Sequence, residues 1–186
     1  MLSPRSGRSI QEYLNYLCGF ANEFSYGECY THPVDLKKLT KEYLQEANLM
    51  QVATVKSNKP WVATVWFAYD ADFNLYFISR NTRRHSLEIA KNPHVAGAIV
   101  KPHKTLGDKT RGLQFEGKCH EVKGAQLLKA FAIFAKRFPK VTKFILSPKE
   151  VITGVTDHRF YKITPSEIIL FDEVNFPDQS RRELNL

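Results

Sequence analysis

The chain has 186 residues, and its 27 Lys and Arg against 19 Asp and Glu give a net charge of +8. That length fits one domain plus an extension, and a domain of this size buries roughly 70% of its unfolded surface without disulfides or a structural metal. The odd, scattered set Cys18, Cys29 and Cys119 makes no disulfide framework, and no apolar run approaches the roughly 20 residues that cross a bilayer, so a cytoplasmic protein with no membrane partner is expected.

Residues 1–32 read as an N-terminal helical extension. Arg5 and Arg8 precede apolar positions interrupted by Glu12 and Asn15, which makes a poor signal peptide. Ser9 is placed to cap a helix through IQEYLNYLCGFANEF, and Gly27 breaks that pattern. A second helix follows Pro33 on the stripe Val34, Leu36, Leu39, Tyr43, Leu44 and Ala47, ending near Asn48. Strands are expected at 49–57, at 61–69 after an SNKP turn, and at 73–79 after Asp70-Ala71-Asp72. A short helix precedes Pro93, and strands follow at 94–101 and 112–122, with Gly117 marking a bulge or a close approach. GAQLLKAFAIFAKRFP (124–139) is a strong amphipathic helix. HRFYKIT (158–164), a Pro165-Ser166 turn and EIILFDEV (167–174) read as a closing hairpin, so the main domain spans 33–174 and 175–186 is a loose polar tail. Five to seven antiparallel strands with peripheral helices define a mainly β chain and a small closed or half-closed barrel.

The stretch 62–93 carries the most chemistry. A strand ends at Ser79 and the next helix opens on Thr82, Arg83, Arg84 and His85, where hydroxyls, fixed cations and unpaired backbone N–H groups favour an anion. The bland alternative is an ordinary helix, capped by Thr82, with a solvated basic first turn. Trp61, Trp66, Phe67, Tyr69, Tyr76 and Phe77 make an aromatic strand pair, half of it core by alternation. His85, His94, His120 and His158 are candidate haem ligands that spacing alone does not separate. Cys29 and His32 form a C-x-x-H without a second half, and Cys119 and His120 point to opposite faces of a strand. No nucleophile-base arrangement, phosphate loop or dinucleotide fingerprint is present, and no catalytic residue is assigned. The basic residues fall in short pairs such as Lys37-Lys38 and Arg181-Arg182, which suits an anionic small molecule better than a nucleic acid.

QEANLMQVATV, the turn at Pro60, the strand ending FIS and the helix before Asn92-Pro93-His94-Val95 together resemble the FMN-binding split-barrel superfamily of pyridoxamine 5′-phosphate oxidase. RGLQFEG (111–117), KRFPK (136–140), ILSP (145–148) and RFYKITPSEIILFDE (159–173) resemble an uncharacterised bacterial branch of it. The resemblance covers about residues 36–174 and implies a Greek-key-like split β-barrel, FMN as cofactor and a homodimer. It further implies phosphate binding by Ser79, Thr82, Arg83, Arg84 and His85. The backbone from Ala63 through Val65 to Phe67 would meet the flavin ring edge, Trp66 or Phe67 would pack beside it, and Arg111 would supply a further cation.

The chain also departs from the oxidases. Ala63 and Ala68 stand where they carry an arginine and a lysine, His85 replaces the lysine of their Arg-Lys pair, and Gly112 replaces a glutamine that touches the flavin. Their C-terminal Trp-Gly-Gly segment has no counterpart, which argues against pyridoxamine phosphate as substrate. The expected function is FMN-dependent oxidoreductase-like chemistry with a small-molecule substrate or electron donor. The alternatives are a non-catalytic binder of flavin or haem in the same cleft and, less favoured, a basic nucleic-acid-binding module.

Overall fold

A computed structural model describes residues 34–102, 105–141, 150, 153 and 155–186. The helix expected within 1–32, with Cys18, Cys29 and His32, lies outside the described residues.

Asp35 starts helix α1 (Leu36–Glu46), its carboxylate accepting the Lys38 N–H at 3.0 Å, and Leu39, Tyr43 and Leu44 form the buried stripe. Strand β1 (Leu49–Lys56) alternates, with Met50, Val52 and Thr54 turned inward. It returns as β2 (Lys59–Tyr69) through a two-residue turn in which Ser57 and Asn58 have φ of 50° and 58°. Two left-handed residues make a type I′ turn, whose twist matches that of the strands it joins. Strand β3 (Leu75–Arg80), helix α2 (Arg84–Ile89), β4 (His94–Val100), β5 (Arg111–Glu121), helix α3 (Gln126–Arg137), β6 (His158–Asp172) and β7 (Arg181–Glu183) follow.

All pairings are antiparallel, in the order β3-β2-β1-β4-β5-β6-β7, and β3 also pairs with β6. That last ladder closes six strands into a ring. One core fills the ring around Phe67, Phe77, Ile99, Leu113, Ile163 and Leu170. A second, smaller core lies where Ala130 and Phe134 of α3 pack on Ala68, Tyr76 and Phe160 outside it.

Two expectations are corrected. Pro165 and Ser166 do not turn the chain, because β6 is one 15-residue strand through both. The register against β5 shifts between Glu116 and Gly117, so Ser166 becomes the extra residue of a bulge. Gly117 permits it: a Cβ there would lie 2.3 Å from the Thr164 carbonyl oxygen. Nor is the segment after Asn175 a loose tail. Arg181–Glu183 pairs with β6, Arg182 stacks on Phe176 at 4.6 Å, and Leu184 is buried.

One edge of β6 pairs with β3 through residues 158–163 and with β7 through 169–171, and Ile168 O accepts the Leu184 N–H, leaving 164–167 without a strand neighbour on that side among the described residues. A similar break occurs in β2. Its residues 59–66 pair with β1, and only 67–69 pair with β3. These two interruptions split the barrel.

Candidate functional site

The break in β2 exposes a strand edge. The Phe67 N–H donates to Asn48 O, which fixes the alternation of the ladder: Ala63, Val65 and Phe67 bond toward β1. Val62, Thr64 and Trp66 therefore turn their N–H and C=O groups away from β1, along an edge with no strand partner among the described residues. Pro60 falls in this outward set, where its missing N–H breaks no ladder bond.

A cavity of about 560 Å³ opens beside that edge, within the range of small-molecule and cofactor sites. Thr64, Val65 and Trp66 of β2 form one wall, Ile78 and Ser79 the end of β3, and Arg83 and His85 the start of α2. Phe134 of α3 and the residues just after it, Phe138, Lys140 and Val141, close the far side. Among the described residues lining it, three are basic or can become so, and none carries a carboxylate.

The polar side chains cluster. Ser79 Oγ and His85 Nε2 are 2.7 Å apart. Burial first, and the neighbouring Arg83 second, push the His85 imidazole below its ordinary range, against an opposing pull from Glu88. A lowered pKa favours the neutral ring at pH 7. No acid hydrogen-bonds to His85 among the described residues, so Ser79 and His85 lack the orienting carboxylate of a nucleophilic triad. The aromatic groups form a second cluster: Trp66 meets Phe138 edge to face at 5.4 Å, and Phe134 lies 5.0 Å from Phe138.

Arg137 fixes that aromatic wall. Its Nη2 donates to Leu44 O at 2.6 Å and to Ala47 O, carbonyls left free at the end of α1. The guanidinium also lies 4.7 Å from the Phe67 ring centroid and 5.1 Å from that of Tyr69. One side chain thus ties the last turn of α3 to α1 and to β2, directly before the cavity residues Phe138, Lys140 and Val141.

The structure brings Val65, Trp66, Ser79, Arg83 and His85 to one cavity and separates the other expected residues from it. Ala63 sits one position beyond the wall in β2, half-buried, with its backbone bonded toward β1. Phe67 is wholly buried in the barrel core. Thr82 does not cap α2, whose N-cap is Arg83 with no side-chain cap bond. Thr82 and Arg84 line a different cavity, and Arg84 donates to Glu88 at 2.8 Å while covering Trp61 at 4.3 Å. Arg111 pairs in register with Asp172, near the buried Tyr43–Asp172 hydrogen bond.

Burial alone would raise the Asp172 carboxyl, but hydrogen bonds from Tyr43, the Asn175 side chain and the Asn175 and Val174 N–H groups outweigh it and hold it below the ordinary range. This is an internal lock joining α1 to β6. Thr64, within the expected 63–67 backbone stretch, also lines the cavity, whereas Ile78, Phe134, Phe138, Lys140 and Val141 complete it and were not expected there. Their only sequence signal was the apolar face of 124–139 together with KRFPK.

The departures from the oxidases have steric counterparts. A Cβ on Gly112 would lie 2.4 Å from Ile99 O and 2.6 Å from the Phe171 ring, so a glutamine has no room. Ala68 is buried under α3, where a lysine ammonium would lose its water. Of the candidate haem ligands, His85 alone lines this cavity; His94 and His120 line others, and His158 contacts Thr156 and Asp157. Among the described residues there is no group of three or more His, Cys, Asp or Glu suited to a metal ion.

The chain is thus a split antiparallel barrel with an open strand edge, an aromatic wall and a cationic pocket. Residues 36–172 match the family described as Pyridoxamine 5′-phosphate oxidase, and the chain belongs to that family. It is similar to the UPF0306 protein YE0465 of Yersinia enterocolitica, 27% identical over 118 residues that cover 63% of this chain and 78% of that one. Among solved structures, HutZ, the haem storage protein from Vibrio cholerae, superposes with a TM-score of 0.60 at 18% identity, covering 73% of this chain and 94% of its own. A FAD-binding protein from Mesorhizobium loti superposes with a TM-score of 0.54 at 15% identity, covering 70% and 90%. At these identities the structures establish the fold. No helix among the described residues is long and apolar enough to cross a membrane.

Proposed function

We propose that this protein binds FMN in the cavity between β2, α2 and α3 and serves oxidoreductase chemistry with a small-molecule substrate or electron donor in the cytoplasm. The observation that carries this reading is the convergence of Ser79, Arg83 and His85 beside an aromatic wall and an open strand edge, with no carboxylate among the lining residues. The phosphate would take hydrogen bonds from the Ser79 hydroxyl and the Arg83 guanidinium, and its charge would favour protonated His85. The outward N–H and C=O groups of Thr64 and Trp66 suit the polar edge of the ring, and Trp66 and Phe138 suit its faces. The flavin supplies the hydride transfer, so no acid or base of the chain is required for that step.

A homodimer accompanies this reading. Leu49, Val55, Val62, Trp66 and Val100 are exposed, and they share the outer face of the β2-β1-β4 ladder with Ala53, Ala96 and Ala98. A largely apolar sheet face, interrupted by Gln51 and Thr64, suits an association surface, and a second copy across it would lie beside the cavity at Trp66. Haem is the second reading. It is favoured by the likeness to the Vibrio cholerae haem storage protein and by the position of His85 in this cavity.

The test is the visible spectrum of the purified protein followed by an FMN titration of the native chain and of Ser79→Ala and Arg83→Ala variants. Each variant removes one contact to the phosphate and is expected to weaken FMN at least tenfold, since a charge-assisted hydrogen bond contributes roughly 1.5–3 kcal/mol. A folded Arg83→Ala variant with native FMN affinity would remove this cavity from consideration. A Soret band that is lost in His85→Ala would replace flavin with haem.

A further inference from the structure

The turn leading into α2 serves two cavities. Arg83 and His85 face the first, whereas Thr82 and Arg84 face a second of about 540 Å³, whose opposite wall is the tip of the β1–β2 hairpin. Lys56, Ser57 and Lys59 line that wall. Three cations therefore meet there against a single carboxylate, Glu88.

That carboxylate is already engaged. Glu88 accepts the Thr54 hydroxyl at 2.5 Å and Arg84 Nε at 2.8 Å, and these bonds, Arg84 foremost, hold its carboxyl below the ordinary range. Lys56 and Lys59 form no ion pair among the described residues and are exposed. Arg84 is held on two sides, by Glu88 at its Nε edge and by Trp61 against its face at 4.3 Å. Among the described residues Nε is the only guanidinium atom of Arg84 that hydrogen-bonds, so its terminal nitrogens keep their donors. A cation fixed in this way loses little freedom on binding and suits a planar, two-pronged contact with a phosphate. Ser57 and Thr82 add hydroxyls, and Leu87, 54% exposed, gives the same cavity an apolar surface.

We propose that this second cavity binds the phosphate of a nucleotide. Lys56, Lys59 and Arg84 neutralise the charge, and Leu87 packs against the base or ribose. The nucleotide has two possible sources: a free mononucleotide, or the adenylate half of a dinucleotide whose other half occupies the first cavity. The site stands without the flavin reading, because none of the residues lining it lines the first cavity.

Only two tryptophans occur in the chain, so a Trp66→Phe variant leaves Trp61, packed on Arg84, as the sole indole reporter. Adenosine diphosphate titrated into this variant is expected to change Trp61 fluorescence saturably. Adding Lys56→Ala and Lys59→Ala should weaken that binding at least tenfold, with native stability, because both side chains are exposed at a hairpin tip. Flavin titrations of the native chain then separate the sources. Competition of adenosine diphosphate with FAD but not with FMN supports a dinucleotide that spans both cavities, and simultaneous binding of FMN and adenosine diphosphate supports a separate nucleotide. Loss of FMN binding in Arg83→Ala with the adenosine diphosphate response intact would show that the two sites are independent. No saturable response at millimolar adenosine diphosphate, or an equal response in the lysine double variant, overturns the proposal. So does a response to single-stranded DNA alone, which would make the hairpin tip a nucleic-acid surface.

Discussion

Arg137→Ala is the most informative single substitution outside the polar cluster. Its guanidinium makes two strong bonds to the free carbonyls of Leu44 and Ala47, and a weaker one to Gln45 O at 3.4 Å. Each strong bond is charge-assisted and contributes about 1.5 kcal/mol at the low end of the usual range. The guanidinium over Phe67 and Tyr69 adds about 0.5–1 kcal/mol. Water reaching the end of α1 would compensate the carbonyls in part, so the expected loss is about 3 kcal/mol. Urea unfolding monitored by circular dichroism measures it directly, as a lowered midpoint at unchanged slope. Arg137→Lys keeps the charge but cannot reach several carbonyls from one planar group, and it should recover less than half of the loss. Both variants loosen Phe138 and Lys140, so FMN affinity should fall in native conditions where the protein is still folded. A stability change below about 0.5 kcal/mol for the alanine variant would refute the reasoning, because it would mean that α3 docks without this tie.

Two further outcomes are expected. Burial and Arg83 lower the His85 pKa and favour its neutral form, and a bound phosphate would raise it, so FMN binding is expected to take up a proton. FMN affinity should therefore rise as pH falls from about 8 to 6.5, a window in which the phosphate, with a second pKa of about 6, stays mainly dianionic. His85→Gln should flatten that dependence, and an unchanged slope in the variant would place the titrating group elsewhere. Gly97→Ala tests the barrel interior, where an added Cβ would lie 2.2 Å from the Phe115 ring and 2.3 Å from Gln51 O. Overpacking of this kind costs about 1–3 kcal/mol, and a compensating Phe115→Leu should fail to restore stability because the Gln51 carbonyl does not move aside.

The strands and helices were legible because their periodicity is local. Met50, Val52 and Thr54 alternate within β1, and Leu39, Tyr43 and Leu44 recur along α1, without reference to the rest of the chain. The continuity of β6 was not legible. Pro165-Ser166 is an ordinary turn signal, and only the partner strand, with Gly117 opposite, converts it to a bulge. The site was half legible for a similar reason. Ser79, Arg83 and His85 lie close in sequence and meet, but the extended backbone at Arg83, with φ −70° and ψ 148°, separates Thr82 and Arg84 from them. KRFPK was visible as a motif. The inward path of Arg137 and the placement of Lys140 at the cavity depend on how α3 docks, which no local pattern encodes.

The ladder that closes the ring joins Leu75 to Ile163 and Arg80 to His158, strands far apart in the chain. Bringing such distant segments together costs loop-closure entropy before any contact compensates it, whereas the β1–β2 hairpin needs only a two-residue turn. During synthesis β3 emerges long before its partner, and its second edge stays bare until β6 has been made. Leu75, Tyr76 and Phe77 lie on that waiting edge, all of them buried once the barrel is complete. The ring therefore makes the order of synthesis a hazard for this protein: a chain halted before residue 158 would present an apolar strand ready to pair with whatever chain it meets.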